Sequence, residues 1–209
     1  MMRNSRSYRE EAWTLLSQNY WSMFLLFLFY TLVAGAASYM TGPDFSIFDI
    51  LMLLLIPLDF GYTWCVLDFS RQKEISVKDI VEPYLTLNTF LKTIAVSLVM
   101  TIFLILWTLL LIIPGIIKSF SYAMVPYILK DQPDVKVLDA ITQSRKLMDG
   151  NKWRLFKLMF SFIGWILLIP LTLGFAIFWV GPYLEVAISR FYDDIKEKYM
   201  RDQEFYQNF

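Results

Sequence analysis

The sequence has no histidine and only one cysteine, Cys65, among its 209 residues. A zinc site of the usual kind, a catalytic pair that uses histidine, and an internal disulfide are therefore excluded. No pair of aspartates and no glycine-rich phosphate loop is visible either. The sequence thus predicts a protein that is not an enzyme and that needs no metal and no cofactor.

The chain also has no excess of positive or negative charge, since 19 basic residues balance 19 acidic ones. Proteins that bind nucleic acid carry a basic surface, so nucleic acid is not an expected partner. Apolar and aromatic residues are abundant instead, at 57% and 18% of the chain, whereas a soluble domain is about half apolar. This composition indicates an integral membrane protein, whose expected partners are the lipid bilayer, other membrane proteins or further copies of the chain.

Several apolar runs are long enough to be considered as membrane spans, because about 20 helical residues cross the roughly 30 Å of hydrocarbon. The runs cover residues 20–40, 47–69, 90–113, 116–130, 155–172 and 175–192. We predict an all-α, polytopic membrane protein that forms a single domain over residues 1–209. Its helices, about six, are expected to form three hairpins at about 20–69, 90–130 and 155–192.

The basic residues predict the orientation of these runs. All of them except Lys118 lie before, between or after the three hairpins or near their ends, and the connections at 41–46, 113–115 and 170–175 contain none. Because basic residues near span ends stay in the cytoplasm, both termini are predicted to lie on the cytoplasmic side of the bacterial cell membrane. A four-span model with two re-entrant hairpins keeps the same charge pattern and remains open.

Three polar segments show the apolar spacing of one helical face, and each precedes a hairpin. They cover about residues 5–17, 76–85 and 134–148. Amphipathic helices of this kind lie in the headgroup plane or pack beneath the bundle and close its cytoplasmic face. Both interpretations are open from the sequence.

Prolines recur with the same spacing in the last two hairpins. Pro114 is followed 12 residues later by Pro126, and Pro170 is followed 12 residues later by Pro182. We predict that Pro114 with Gly115, and likewise Pro170, form turns, whereas Pro126 and Pro182 kink equivalent helices. A proline in a spanning helix frees a carbonyl that needs another partner. The kinks therefore either frame a shared cavity or reflect ordinary packing of a bundle.

Ionisable side chains inside the apolar runs are the candidate binding residues, since each costs about 3 kcal/mol to insert unless it is paired or hydrated. Lys118 is predicted to lie near the outer face, where it can pair with Asp49 or extend to the headgroups. Glu185 is predicted to lie at a depth that Arg154 or Lys157 reaches. Both residues can thus be explained by pairing.

Asp59 is the candidate that pairing does not explain. It follows Pro57 near the middle of the second run, and no basic residue is expected at the same depth. A carboxyl in such a place is either protonated or in contact with water. Asp59 is therefore either a proton or cation site or a neutral hydrogen-bond donor to a carbonyl freed by the proline.

Four stretches carry a resemblance to a known family: IIPGIIKSFSYAMVPYIL, AITQSRKLMDGNKWRLF, SFIGWILL and WVGPYLEVAISRFY. From about residue 90 onward, the chain resembles a bacterial family of integral membrane proteins catalogued as domain of unknown function 975. The resemblance implies a multi-span inner-membrane protein. The chain is also similar, more distantly, to the membrane domain of some glycerophosphodiester phosphodiesterases, but it has no histidine to match the catalytic histidines of those enzymes.

Two classes of function remain open. The first is a non-enzymatic scaffold or accessory protein of the bacterial cell envelope, which the amphipathic segments and the missing catalytic sets favour. The second is a small transporter or channel with a cavity lined by proline-kinked helices and Asp59. Binding of lipid or flux of a solute in reconstituted membranes discriminates between them.

Overall fold

The computed structural model describes residues 3–40 and 53–207, with side chains placed for 3–37 and 53–204. These residues are helical almost throughout and include no strand, so the predicted all-α class is confirmed. The α-helices in chain order are α1 (Ser5–Met40), α2 (Ile56–Ser70), α3 (Leu87–Leu110), α4 (Ile112–Tyr122), α5 (Val125–Asp131), α6 (Val137–Leu147), α7 (Lys152–Phe160), α8 (Ile163–Ile166), α9 (Leu168–Leu171) and α10 (Ile177–Gln207). A 3₁₀ helix, Val77–Tyr84, precedes α3.

Three helical segments are long and apolar enough to cross a membrane. They are Ser5–Ala37, Leu87–Leu110 and Ile112–Asp131, and α7 with α8 and α9 adds a fourth if the bent pair counts as one span. Large apolar side chains are exposed along the whole of α3, and only Thr93 and Val96 are buried on it, as expected of a helix that faces lipid. The structure thus agrees with a helical membrane protein, whereas six spans are not found among residues 3–40 and 53–207.

Two of the six predicted spans differ in length from the helices that the structure shows, and each difference has a physical reason. The described part of the second run forms α2, whose 15 residues reach only about 22 Å, while residues 47–52 lie outside the described residues. The sixth run begins the 31-residue helix α10, which continues through the charged residues that follow it. Apolar length in the sequence therefore does not by itself give the length of a span.

The amphipathic segments form helices that pack against the rest of the chain. Residues 5–17 are the first part of α1, which breaks at Asn19, where φ is −139°. Tyr8, Ala12 and Leu16 are buried on this part, and its Glu11 carboxylate accepts from the Arg190 guanidinium of α10 at 3.0 Å. Residues 134–148 contain α6. The segment 76–85 forms the 3₁₀ helix, and Pro83 lies near its end, as the sequence predicts.

The predicted turn at Pro114 and Gly115 is wrong. The break between α3 and α4 lies at Leu111, which is extended (φ −164°, ψ 139°). Pro114 lies in the first turn of α4, where a missing N–H breaks no helical hydrogen bond. Gly115 serves close packing instead, since a Cβ there would lie 2.5 Å from the Thr108 hydroxyl oxygen.

The other prolines do not form equivalent kinks. Pro170 lies in the one-turn helix α9, and the chain turns just after it. Pro126 stands in the first turn of α5, after a break that separates α4 from α5, whereas Pro182 lies inside the continuous helix α10. The Ser144 hydroxyl of α6 satisfies the break before Pro126, since it donates to the Ser121 carbonyl at 2.8 Å and accepts from the Met124 N–H at 3.3 Å.

Ion pairs join the ends of α2 and α5 to α10. The Arg71 guanidinium donates two hydrogen bonds to the Asp131 carboxylate, at 2.6 and 2.9 Å, and it also donates to the Asp193 carboxylate, most closely at 2.7 Å. The Lys196 ammonium and the Tyr192 hydroxyl also donate to Asp131, at 2.6 and 2.9 Å. These five residues form what we call the Arg71 network.

A second group of polar contacts joins α1 and α7 to α10. Asp194 accepts from the Tyr8 hydroxyl at 2.6 Å and from the Arg154 guanidinium at 2.9 Å. Burial alone raises the pKa of Asp194, but the hydrogen bonds from Tyr8 and Arg154 outweigh burial and hold this pKa below its usual value. The carboxyl therefore stays ionised and keeps both contacts at neutral pH.

Candidate functional site

The strongest candidate site is a cavity of about 370 Å³ between α2, α4, α5, α7 and α10. Its wall holds two carboxyl groups, three hydroxyl groups and apolar side chains, and no basic residue. The carboxyl groups belong to Asp59 and Glu185, the hydroxyl groups to Thr63, Ser119 and Tyr127, and the apolar wall to Phe120, Ala123, Pro126, Leu155, Met159 and Ile188. We call it the acidic cavity.

Asp59 lies in the first turn of α2. It was predicted near the middle of the second run, of which residues 47–52 lie outside the described residues. Its Oδ1 accepts a hydrogen bond from the Tyr30 hydroxyl of α1 at 3.0 Å. In the described part of the chain, Asp59 forms no ion pair with a basic side chain, as the sequence predicts.

The tyrosine that binds Asp59 is one of a stacked pair, in which one ring comes from α1 and the other from α2. The rings of Tyr30 and Tyr62 lie 4.6 Å apart and nearly parallel, at 16°. The Tyr62 side chain is buried, and its hydroxyl has no hydrogen-bond partner. Buried polar groups are nearly always satisfied, so a water molecule or a bound group is expected close to this hydroxyl.

Glu185, on α10, is half-buried in the wall of the same cavity. The pairing predicted for it is wrong. Arg154 binds Asp194 instead, and the Lys157 ammonium lies over the Trp153 ring, 5.6 Å from its centre. Both basic residues are therefore engaged elsewhere, and Glu185 faces the cavity beside Asp59.

Lys118 belongs to a different site. It lines a second cavity with Arg145 and Lys152, which lie in the predicted cytoplasmic connection between the second and third hairpins. The predicted outer position of Lys118 and the predicted cytoplasmic position of these two residues therefore exclude each other. The prediction assumed that residues 116–130 cross the membrane as one straight helix, but the chain breaks between α4 and α5 and brings Lys118 to α6. Asp49, its predicted partner, lies outside the described residues.

Tyr127 connects the acidic cavity to the Arg71 network. Its ring stacks on Tyr192 at 5.0 Å, and the Tyr192 hydroxyl donates to Asp131. Tyr127 directly follows Pro126 in the sequence but was not among the candidate binding residues. Tyr30, Thr63 and Ser119 were missed, because single hydroxyl residues on separate helices carry no signal of their meeting.

The chemistry of this wall selects positive charge. Two carboxyl groups and neighbouring hydroxyl oxygens attract a cation, and no basic side chain in the wall competes for them. The residues that the structure describes contain no group of three or more His, Cys, Asp or Glu side chains placed to hold a metal. The cavity therefore suits a weakly held cation, a shared proton or a small organic cation better than a tightly bound divalent metal.

Comparison with known proteins gives one match. No curated protein and no solved structure matches the chain. Residues 108–199, a little under half of the chain, match the model of a family described as Protein of unknown function (DUF975). The matched part runs from the end of α3 into α10 and includes Glu185, whereas Asp59 lies before it. The resemblance to this family is thus confirmed over residues 108–199.

Proposed function

We propose that the protein is a non-enzymatic membrane protein of the bacterial cell envelope that binds a cation, or a small solute with a positive charge, in the acidic cavity. The observation that carries this proposal is the pair of carboxyl groups, Asp59 and Glu185, in a wall without a basic residue. Each acid comes from a different helix, so a bound cation bridges α2 and α10.

Cation binding is expected to stabilise the fold. A ligand that binds only the folded state adds about 2.7 kcal/mol at a hundredfold excess over its Kd. We expect sodium, potassium or methylammonium chloride to raise the melting temperature of the purified protein more than N-methylglucamine chloride at equal ionic strength. The double variant Asp59→Asn with Glu185→Gln should lose this difference, because the amides keep the size but not the charge.

Glu197→Gln is the matched control, since Glu197 lies on the same helix as Glu185, is exposed and has no ion pair within residues 3–40 and 53–207. The control should respond to the cations as the unchanged protein does. Equal stabilisation of the double variant and the unchanged protein would contradict the proposal.

Flux then separates the two functions that this site permits. If the protein is a small transporter or channel, proteoliposomes carrying it conduct the stabilising cation, and the double variant does not. If it is a scaffold or accessory protein, the cation binds without crossing the membrane and the protein purifies with one stable partner. The distant similarity to the membrane domain of glycerophosphodiester phosphodiesterases remains a prediction that favours neither outcome.

A scaffold role has one specific observation in its favour. Trp153, Phe156 and Phe160 form an aromatic row along α7, with ring centres 4.9 and 6.0 Å apart. All three side chains are exposed. Aromatic rings with this spacing suit the membrane interface or the helix of a partner protein.

We also infer the topology, with both termini cytoplasmic in the bacterial cell membrane. Six full spans in three hairpins would place the tips of the last two hairpins in water on the outer side. The contacts of Lys118 favour the alternative with re-entrant hairpins. Lys118 adjoins Arg145 and Lys152, and the break at Leu111 lies only seven residues away, about 10 Å of helix.

The side chains of both tips support the same alternative. From Leu109 to Ile113 the exposed fractions are 67–79%, and Leu171, Leu173 and Phe175 are 77–91% exposed. Transfer of each such side chain from water to an apolar environment is favourable by about 1.5–3 kcal/mol. The tips are therefore stable in the apolar layer and unstable as aqueous loops.

Thiol labelling tests this topology. In a Cys65→Ala background, we expect Ile112→Cys and Leu173→Cys to resist an impermeant maleimide in both intact and permeabilised cells. Asp134→Cys, in the connection before α6, should react only after permeabilisation. Labelling of positions 112 and 173 in intact cells would instead establish full spans.

A further inference from the structure

The second cavity, on the other side of α4, has the opposite charge. Its volume is about 370 Å³, and its wall holds the basic residues Lys118, Arg145, Lys146 and Lys152 and one acid, Asp149. Among the described residues, none of these four basic side chains forms an ion pair, whereas the neighbouring Lys130 and Arg154 each pair with a carboxylate. Like charges repel, so this cluster is stable only when an anion or water screens it.

Hydroxyl groups complete the wall. Ser121 and Thr142 line the cavity, and both hydroxyls donate to carbonyls of their own helices, at 3.0 and 2.8 Å. Because both hydroxyl hydrogens are used in these bonds, the basic side chains supply the hydrogen-bond donors that face the cavity. Ammonium and guanidinium donors around a small volume are the usual ligands of a phosphate group.

Apolar surface begins directly beside this basic cluster. The Lys118 ammonium lies over the Trp107 ring of α3, 4.4 Å from its centre. Trp107 also lines an apolar groove with Leu106, Leu109 and Leu110. The three leucines are exposed. One side chain thus joins a basic cavity to a strip of apolar surface, the arrangement that matches a molecule with a charged head and a hydrocarbon tail.

We propose that this basic cavity binds a phosphate group, supplied by the headgroup of an anionic phospholipid whose acyl chain lies along Trp107 and the leucines of α3. Arg145 and Lys152 approach the phosphate from α6 and α7, and Lys118 approaches it from α4. The lipid fixes the depth of the α3–α4 hairpin in the bilayer. The site is separate from the acidic cavity, so this proposal does not depend on cation binding there.

The experiment measures phosphatidylglycerol bound to the purified full-length protein in mixed micelles that also contain phosphatidylcholine, by native mass spectrometry and by titration of a fluorescent phosphatidylglycerol. A basic residue near an anionic lipid is worth about a factor of five in affinity. Arg145→Gln with Lys152→Gln should therefore weaken phosphatidylglycerol binding about 30-fold. Lys152→Arg should retain it, because the charge remains.

Lys136→Gln is the matched control, since Lys136 is an exposed basic residue just before α6 that lies outside the cavity. The Lys136→Gln variant should lose less than about a factor of five in affinity for phosphatidylglycerol. Equal losses in Lys136→Gln and in the double variant, or no loss in either, would overturn the proposal. Both residues of the double variant are at least partly exposed, and far-UV circular dichroism shows whether the variants stay folded.

Inorganic phosphate identifies the source of the group. If excess inorganic phosphate leaves phosphatidylglycerol bound, the acyl chain contributes and the lipid is the ligand. If inorganic phosphate displaces the lipid at equal concentration, and the double variant loses that competition, the cavity is a site for soluble phosphate. Displacement that is the same in the double variant overturns both.

Discussion

Asp131→Asn is expected to lower the free energy of unfolding by about 3 kcal/mol, near the low end of the 3–5 kcal/mol lost when one partner of a buried ion pair is removed. Asp131 is 9% exposed and accepts hydrogen bonds from Arg71, Lys196 and Tyr192. With an amide at position 131, the Arg71 network keeps two partly buried cations, Arg71 and Lys196, but only one carboxylate, Asp193. Unfolding in mixed micelles of dodecyl sulfate and a mild detergent, followed by far-UV circular dichroism, measures the change.

Asp134→Asn is the control for this prediction. Asp134 lies three residues further along, is exposed and takes part in no ion pair within the described ranges. Its replacement should change the stability by no more than about 0.5 kcal/mol. Asp193→Asn should fall between the two, because Arg71 keeps both hydrogen bonds to Asp131. A loss below about 1 kcal/mol for Asp131→Asn would show that the Arg71 network is not a main support of the fold.

Gly61→Ala is expected to destabilise the protein by about 3 kcal/mol, the upper part of the range for overpacked cores. A Cβ at Gly61 would lie 1.9 Å from the carbonyl oxygen of Ile80 and 3.1 Å from Cδ of Pro83. The first of these atoms belongs to the backbone, so no change of rotamer relieves the clash. The 3₁₀ helix must therefore move away from α2.

Cys65 reports this movement without any added label site. It is the one cysteine of the sequence, lies one turn after Gly61 and is buried. In Gly61→Ala the Cys65 thiol should react with a maleimide faster than in the unchanged protein. Gly35→Ala is the control, since no described atom outside its own helical turn lies within 4 Å of the added Cβ, and alanine in a helix gains about 0.5–1 kcal/mol over glycine. Equal stability and equal thiol reactivity in the two variants would refute the tight contact.

The sequence predicted the elements that depend on local periodicity. The all-α class and the amphipathic segments follow from apolar spacing, which a helix imposes over any 10 to 15 residues. The candidate Asp59 was found because a lone acid in an apolar run is costly. These predictions needed no knowledge of which helix packs against which.

The predictions that failed required tertiary contacts. Lys118 was placed by counting residues along a straight span, but the chain breaks before α5, and Ser144 of another helix satisfies this break. Pro114 was assigned to a turn because proline ends helices, although the first turn of a helix accepts it equally well. Arg71 gave no signal, since a basic residue after an apolar run looks the same whether it is solvated or buried among carboxylates.

Helix α10 continues unbroken from the acidic cavity to the Arg71 network. Glu185 and Asp193 stand eight residues apart on it, about 12 Å of rise, and Pro182 lies before both of them. The proline of this helix is thus outside the segment that joins Glu185 to Asp193, and the helical hydrogen bonds of that segment are not interrupted by it. If a cation binds between Glu185 and Asp59 as proposed, we expect its binding and the stability of the Arg71 network to be coupled in both directions through this helix.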